Sequence, residues 1–485
     1  MRAKQTLCYL LAYALSAVFG LANVVIFTRL FAVEAFGDFN LGFSCATFFA
    51  VFLASAIKLA LLRIQARGDS SDVRPVALGA MVLCGTAAPI GFGAALLIGL
   101  PVAVALAAVT LTLVLVAYDC SLELLRAEQK PKLFVAATFC RALLVTLFGL
   151  FAGLFQGGGA SLLATSVVAY SLVVVLFWRR AWGVSEPDFA RPALIDIVRT
   201  GAPLTLSLSL LSISSLSDRF LLAHLAGIGA AGQFGAALDI VRQGLPILAV
   251  SLSSAFTPLA VRMLAGEGAQ RTRDACADYL EWLLAVTLPA TIGLALVAPQ
   301  VADLLLGPDF RQLAREAIPV FAAAVLFQVL TQQYFHMSFL LSNKTIYYLF
   351  NTGAVIVWSL AITTVLILRF GVAGAVWGRL ATELFGFASA FWLSRSAFAL
   401  PFPFVRLARV ALASAPLALA VYALESLYSG AGPKLLLLAI PAGVAVYALS
   451  AWALDIARAR ARLRNVLHAI QSGGFARFTG QDSIS

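Results

Sequence analysis

Apolar runs of about 20 residues, the length that carries a helix across a bilayer core, follow one another along almost the whole chain. They predict spans near 5–31, 39–61, 76–98, 102–122, 133–155 and 161–178. A second set falls near 201–223, 231–260, 281–300, 316–341, 346–369 and 373–394, with a last pair near 410–427 and 435–454. The runs are unbroken and rich in Ala, Leu and Val, whereas a membrane barrel needs short segments of alternating polarity. The pattern therefore predicts an all-α polytopic membrane protein of about 14 transmembrane helices.

The polar segments between the runs set the orientation. With the N-terminus placed in the cytoplasm, alternate loops and the tail hold 24 of the 34 basic residues, and the opposite loops keep Arg311, Arg315 and Lys434. Cytoplasmic loops carry such an excess, so both termini are expected inside. The net charge of +11 is then a topology signal, and no nucleic acid is expected as a partner. Met1 to Lys4 is basic, but the apolar stretch that follows runs to about Phe31, too long for a secretory signal core. It reads as a retained first span. Arg458, Arg460, Arg462 and Arg464 form a basic flank to the last span, suited to anchoring it or to acidic lipid headgroups.

Composition sharpens the class. Charged residues make up 12% of the 485, about half of what a soluble chain carries. Neither the segment near 179–200 nor the tail is long enough to bury a core. The resulting division is a six-helix lobe over 1–180, a cytoplasmic linker over 181–200, a second six-helix lobe over 201–395, a helix pair over 396–454 and a basic tail over 455–485. The six cysteines are scattered singly and the three histidines lie far apart, so no disulfide framework, metal site or cofactor is expected. There is no Walker A sequence.

Ionisable residues inside spans are the candidate chemistry, because each costs about 2.5–3.5 kcal/mol at the bilayer centre and needs a cavity or a partner. The basic set is Arg29, Lys58, Arg141, Arg219, Arg242 and Arg379; the acidic set is Asp119, Asp218, Asp239 and Glu383. Asp239 with Arg242, and Arg379 with Glu383, have the three- and four-residue spacing of neighbours on one helix face. Asp218 and Arg219 are adjacent, so they point to different sectors and do not simply neutralise each other. Arg29, Lys58 and Asp119 lie near span ends, where a side chain snorkels to the interface. Arg141 is about 12 Å into its span. A surplus of arginine suits an anionic substrate, because guanidinium grips phosphate oxygens in pairs.

Gln328, Gln332 and His336 recur at four-residue steps in one span. They suit sugar hydroxyls, or equally hydrogen bonds to neighbouring helices. The serines between Ser207 and Ser217 favour close helix packing, and Pro203, Pro246, Pro258 and Pro289 are candidate kinks.

A weak echo links the two sets of six spans: Phe36-Gly37-Asp38-Phe39 follows the first span of one, Ala231-Gly232-Gln233-Phe234 the first span of the other. Six spans is an even number, so the lobes would be parallel repeats related by a pseudo-two-fold axis along the membrane normal, an arrangement known in transporters. The stretches Thr28-Arg29-Leu30 with Phe36–Leu41, and Asp218–Leu222 with Gly232-Gln233-Phe234 and Ala236-Ala237, resemble the polysaccharide-transporter and O-antigen flippase branch of the multidrug/oligosaccharidyl-lipid/polysaccharide (MOP) exporter superfamily.

That resemblance implies two six-helix lobes around a V-shaped cavity bordered by spans one, two, seven and eight, plus two additional helices. It implies a non-enzymatic flippase of the bacterial inner membrane that moves a polyprenyl-pyrophosphate-linked glycan between leaflets by alternating access. The glycan would serve exopolysaccharide or O-antigen synthesis, with membrane lipids and other polysaccharide assembly proteins as partners. Arg29, Lys58, Arg219 and Arg242 become pyrophosphate candidates, Arg242 and Arg141 being placed by position alone, and Arg379 joins the same set. Asp218, Asp239 and Glu383 become charge partners or coupling groups. Three alternatives remain: a drug/cation antiporter of the same superfamily, a lipid II flippase, and a membrane-embedded glycan polymerase or ligase, which usually exposes an outer catalytic loop that this chain lacks.

Overall fold

A computed structural model describes residues 3–67, 74–344, 346–428 and 432–456. The basic tail and the side chains of Arg2, Lys4, Arg63, Arg67 and Pro203 lie outside what is described.

Every described element is helical. The first group is α1 (Ala3–Leu30), α2 (Val33–Arg67), α3 (Arg74–Cys84), α4 (Ala88–Leu97), α5 (Val102–Ala127), α6 (Pro131–Leu154) and α7 (Gly159–Ala181). A short 3₁₀ turn, Gly85–Ala87, joins α3 to α4. The second group is α8 (Arg191–Ala226), α9 (Ile228–Gly266), α10 (Ala269–Leu296), the short α11 (Ala298–Leu305), α12 (Pro308–Leu330), α13 (His336–Leu341) and α14 (Ile346–Ser396). The pair α15 (Phe404–Leu427) and α16 (Leu436–Ala453) closes the described chain. Among the described residues, eleven helices are long and apolar enough to cross a membrane. The serine-rich α8 falls outside that set.

α14 is broken at Gly371, whose φ of 58° and ψ of −133° suit a residue without a side chain. A Cβ on Gly374 would lie 2.0 Å from the carbonyl oxygen of Leu366, so the arms 346–370 and 372–396 meet at a turn too tight for any other residue. Between α12 and α13 the chain widens into a π-turn, Thr331–Phe335. This turn places the Tyr334 hydroxyl on the carbonyl of Pro401 and sets Phe335 among Phe387, Phe391 and Phe402. The α14–α15 connection is thereby pinned to the second group.

Two apolar clusters fill the interior. One is built on α2, α3 and α5–α7. The other is built chiefly on α9–α16 and takes in Phe27, Phe31 and Phe36 from the ends of α1 and α2. The α1–α2 turn, the end of α6, the start of α9 and the Gly307 loop meet at one face of the bundle. There Gly153 abuts Leu30, Gly159 abuts Ala35 and Asp38, and Gly307 abuts Thr28. At the opposite face Gly201 abuts Ala56, and the strap before α8 lies on α3, with Gly79 against Asp188. The α15–α16 pair is fastened to α10 by Arg406 to Asp278 at 2.5 Å and by the Tyr447 hydroxyl to the Ala285 carbonyl at 2.6 Å.

Candidate functional site

The charges inside the spans gather where α2, α8, α9 and α14 come together. Asp218 and Arg219 are neighbours on α8, and a helix turns about 100° per residue, so they face different partners. Asp218, only 1% exposed, accepts from Arg379 Nη1 at 3.2 Å and from the Ser359 hydroxyl at 3.2 Å. Arg379 also binds Glu383 one turn along α14. Arg219 turns the other way. Its Nη1 donates to Asn40 Oδ1 at 2.6 Å and to the Ser44 hydroxyl at 3.4 Å, both on α2, and its Nη2 binds Asp239 on α9. Asn40 closes the ring by donating its Nδ2 to Asp239 Oδ2 at 3.3 Å.

Arg242 lies one helical turn beyond Asp239, between these two clusters. Arg379, Arg219, Asp239 and Glu383 lie within electrostatic reach of it. It is half-buried and has no hydrogen bond or ion pair among the described residues. The three-residue spacing of Asp239 and Arg242 suggested a pair, but in the structure Arg219 takes Asp239. The physical reason is reach: α8 presents Arg219 directly to α9 and outcompetes the same-face neighbour. The four-residue pair Arg379–Glu383 does form. In this cluster three arginines face three carboxylates, and the two direct ion-pair systems occupy all three carboxylates. Among the described residues, Arg242 is left as the arginine of the cluster without a carboxylate.

The other basic candidates sit elsewhere. Arg29 is exposed at the α1–α2 face and donates to the Leu304 carbonyl, near the end of α11. Lys58 pairs with Asp119 of α5 at 3.1 Å, each side chain about one-third exposed, so two charges predicted to snorkel separately neutralise each other. Arg141 finds the partners its depth demands: the Tyr170 hydroxyl at 3.1 Å, the Ser16 hydroxyl at 3.3 Å and the faces of Tyr118 and Tyr170. Among the described residues, none of these three joins the Arg219–Arg242–Arg379 cluster through a hydrogen bond or ion pair.

In the glutamine stripe, His336 shares a 3.0 Å hydrogen bond with Asn351 Oδ1, and Asn351 donates onward to Ser389 at 2.7 Å. That is a satisfied packing histidine. Gln328 and Gln332 are half-buried and carry no side-chain hydrogen bond among the described residues. Asn40 and Ser44 complete the site and were not among the expected residues. A groove of about 520 Å³ also runs between α10 and the α15–α16 pair, past Pro289, Gly293, Leu417, Val421 and Gly443. It is apolar, and its one tyrosine hydroxyl, Tyr447, is already used by Ala285, so a polar headgroup finds no partner there.

The chain is thus a helical membrane protein whose two groups of spans meet at buried charges. Residues 3–264 match the family of polysaccharide biosynthesis proteins, and the chain belongs to that family. The fold is that of the MOP superfamily. The lipid II flippase MurJ in an inward closed conformation superposes with a TM-score of 0.76 at 13% identity, over 92% of this chain and 98% of that one. An inward-facing multidrug resistance MATE family transporter of the MOP superfamily gives 0.63 at 18% identity, over 79% and 95%. A MOP superfamily transporter from Pyrococcus furiosus, described as having a binding pocket of reverse polarity, gives 0.53 at 17%, over 80% and 95%. No curated protein sequence matches the chain.

Proposed function

We propose that this protein is a flippase for a polyprenyl-pyrophosphate-linked oligosaccharide in the bacterial inner membrane, serving exopolysaccharide or O-antigen synthesis. The observation that carries the reading is Arg242, a cation inside the span region with its guanidinium donors unspent, flanked by two arginines already held by carboxylates. A pyrophosphate supplies the oxygens that such a group lacks, in the paired geometry that guanidinium prefers. Arg219 and Arg379 are held in place by Asp239, Asp218 and Glu383, so the incoming anion finds its open donors on Arg242.

The membership in a polysaccharide biosynthesis family supports the glycan, and the distribution of loop charges supports placing the α1–α2 face outward, with both termini inside. Alternating access would carry the headgroup past Arg242 while the lipid tail stays in the bilayer. No bond is made or broken, so the protein needs positioning and not catalysis. The antiporter reading is less well supported, because each carboxylate of the cluster already holds an arginine and none is left open for a drug cation. Reconstitution in liposomes with a fluorescent polyprenyl-pyrophosphate oligosaccharide tests the proposal: protein-dependent exposure of the glycan to an external reagent is expected, and its absence across several glycans argues against it.

A further inference from the structure

Asn40 is a side chain of the first group held by the charges of the second. Its carboxamide oxygen accepts from Arg219 of α8 and its nitrogen donates to Asp239 of α9. It reaches them through a slot made for it: a Cβ on Gly235 would lie 2.9 Å from Asn40 Nδ2. Any larger residue at 235 displaces the amide. Ser44, one turn further along α2, adds a weaker contact to the same guanidinium at 3.4 Å. Among the described residues these are the polar links between α2 and the α8–α9 pair, and they lie just inside the glycine contacts of the α1–α2 face, where a Cβ on Gly37 would lie 2.3 Å from the Ile228 carbonyl oxygen.

We propose that Asn40 is an interlobe latch, a positioning residue that holds the α1–α2 face closed by standing in for a ligand on Arg219. Hydrogen-bond satisfaction of the Arg219 guanidinium sets the balance. Arg219 is 7% exposed, and its Nε is buried with no hydrogen-bond partner among the described residues. Parting α2 from α8 at this face removes Asn40 and Ser44 from Nη1, and Arg219 keeps Asp239 alone. Water replaces them on Nη1 once the face parts, and the net loss of hydrogen bonds to a charged group favours the closed arrangement while no stronger acceptor reaches Arg219. An oxyanion arriving beside Arg242 can take the place that the Asn40 carbonyl leaves, and the face can then open with the guanidinium still satisfied. This last step rests on the pyrophosphate reading of the site; the latch itself does not.

The test reads the opening directly and contains no substrate. Spin labels go on the full chain in lipid nanodiscs, in a cysteine-free background, at Val102 and Leu427, which are exposed residues at the ends of α5 and α15. Their distance distribution gives the fraction open at this face. Asn40→Ala is expected to raise the open-to-closed ratio by roughly tenfold or more, the effect of losing a hydrogen bond to a charged group. Leu41→Ala is the control: Leu41 is adjacent, 1% exposed and packed in the core of the first group, so it should lower the melting temperature without moving the distance.

The proposal is overturned if folded Asn40→Ala stays within about twofold of the wild-type ratio, far below the loss of one charge-assisted hydrogen bond. It is equally overturned if Leu41→Ala opens the face as much as Asn40→Ala does, since that would be general loosening. Should Asn40→Ala fail to fold, Asn40→Ser fits the same slot and carries the same expectation. Failure here leaves the flippase proposal standing, and failure of glycan exposure in liposomes leaves this latch standing.

Discussion

Gly37 of α2 and Gly232 of α9 touch backbone to backbone: a Cβ on Gly232 would lie 2.9 Å from the Gly37 nitrogen and 2.7 Å from the Val33 carbonyl oxygen. These are the two glycines of the short sequence echo, one from each set of spans. Their lack of side chains lets the two helices meet at the face where α1 passes to α2. Helix pairs in membranes approach closely through small residues of this kind, and here the contact joins the first group to the second.

Gly37→Val should therefore prop that face apart. The added methyls run into Ile228, whose carbonyl oxygen is already 2.3 Å from where a Cβ would sit. Overpacking of a tight contact costs about 1–3 kcal/mol. The expected result is a lower melting temperature in detergent and a larger open fraction at this face, read by the same label pair at Val102 and Leu427. An unchanged distance distribution would show that the glycines do not set the closure.

Removing Arg379 should be far worse for the fold than removing Arg242. Arg379 is 1% exposed and holds both Asp218 and Glu383. Deleting one partner of a buried pair costs about 3–5 kcal/mol, so Arg379→Ala is expected to collapse the yield of folded protein on size-exclusion chromatography. Replacing all three, as Asp218→Asn with Glu383→Gln and Arg379→Gln, removes the stranded charges and should recover much of that yield. A triple variant no better folded than Arg379→Ala would contradict the ion-pair account.

Arg29 and Arg141 provide the contrast within the basic set. Arg29 caps the α11 carbonyl of Leu304 at the exposed face, and Arg141 is held by Tyr170 and Ser16 inside the first group. Arg29→Ala should lower transport no more than a few-fold, because a single net hydrogen bond contributes on the order of 1 kcal/mol. Arg141→Ala should lower the melting temperature through the lost hydrogen bonds and ring contacts, with apparent glycan affinity unchanged. A large loss of glycan affinity in either variant would return that residue to the substrate path.

Much of the architecture is legible in the apolar runs, since a span announces itself by length and composition alone. Even the break in α14 shows in the sequence, where Arg369-Phe-Gly371 interrupts two runs. The short α11 is missed because eight residues at the end of a span carry no periodic signal of their own. The site is only half legible. Cost marks Arg219, Arg379, Asp218 and Glu383, but spacing along one helix finds only same-helix partners, as with Arg379 and Glu383. Asp239 binds a residue 20 positions away and Asp218 one 161 away, choices made by helix packing. Asn40 and Ser44 escape notice because a neutral polar residue in an apolar run carries little insertion cost.

The central claim is that Arg242 is the open cation of the cluster and meets the pyrophosphate. The most direct test compares wild type, Arg242→Ala and Arg242→Lys in liposomes loaded with the fluorescent polyprenyl-pyrophosphate oligosaccharide, each variant first shown to melt within a few degrees of wild type. The account predicts near-native stability for both variants, because Arg242 forms no ion pair among the described residues. It predicts glycan exposure cut by at least about tenfold in Arg242→Ala, the effect of losing about 1.4 kcal/mol of charge-assisted binding. Arg242→Lys should recover part of the rate, as a point charge without the paired geometry. Undiminished flipping by a stable Arg242→Ala protein would contradict the account and move the substrate's anion to another part of the molecule.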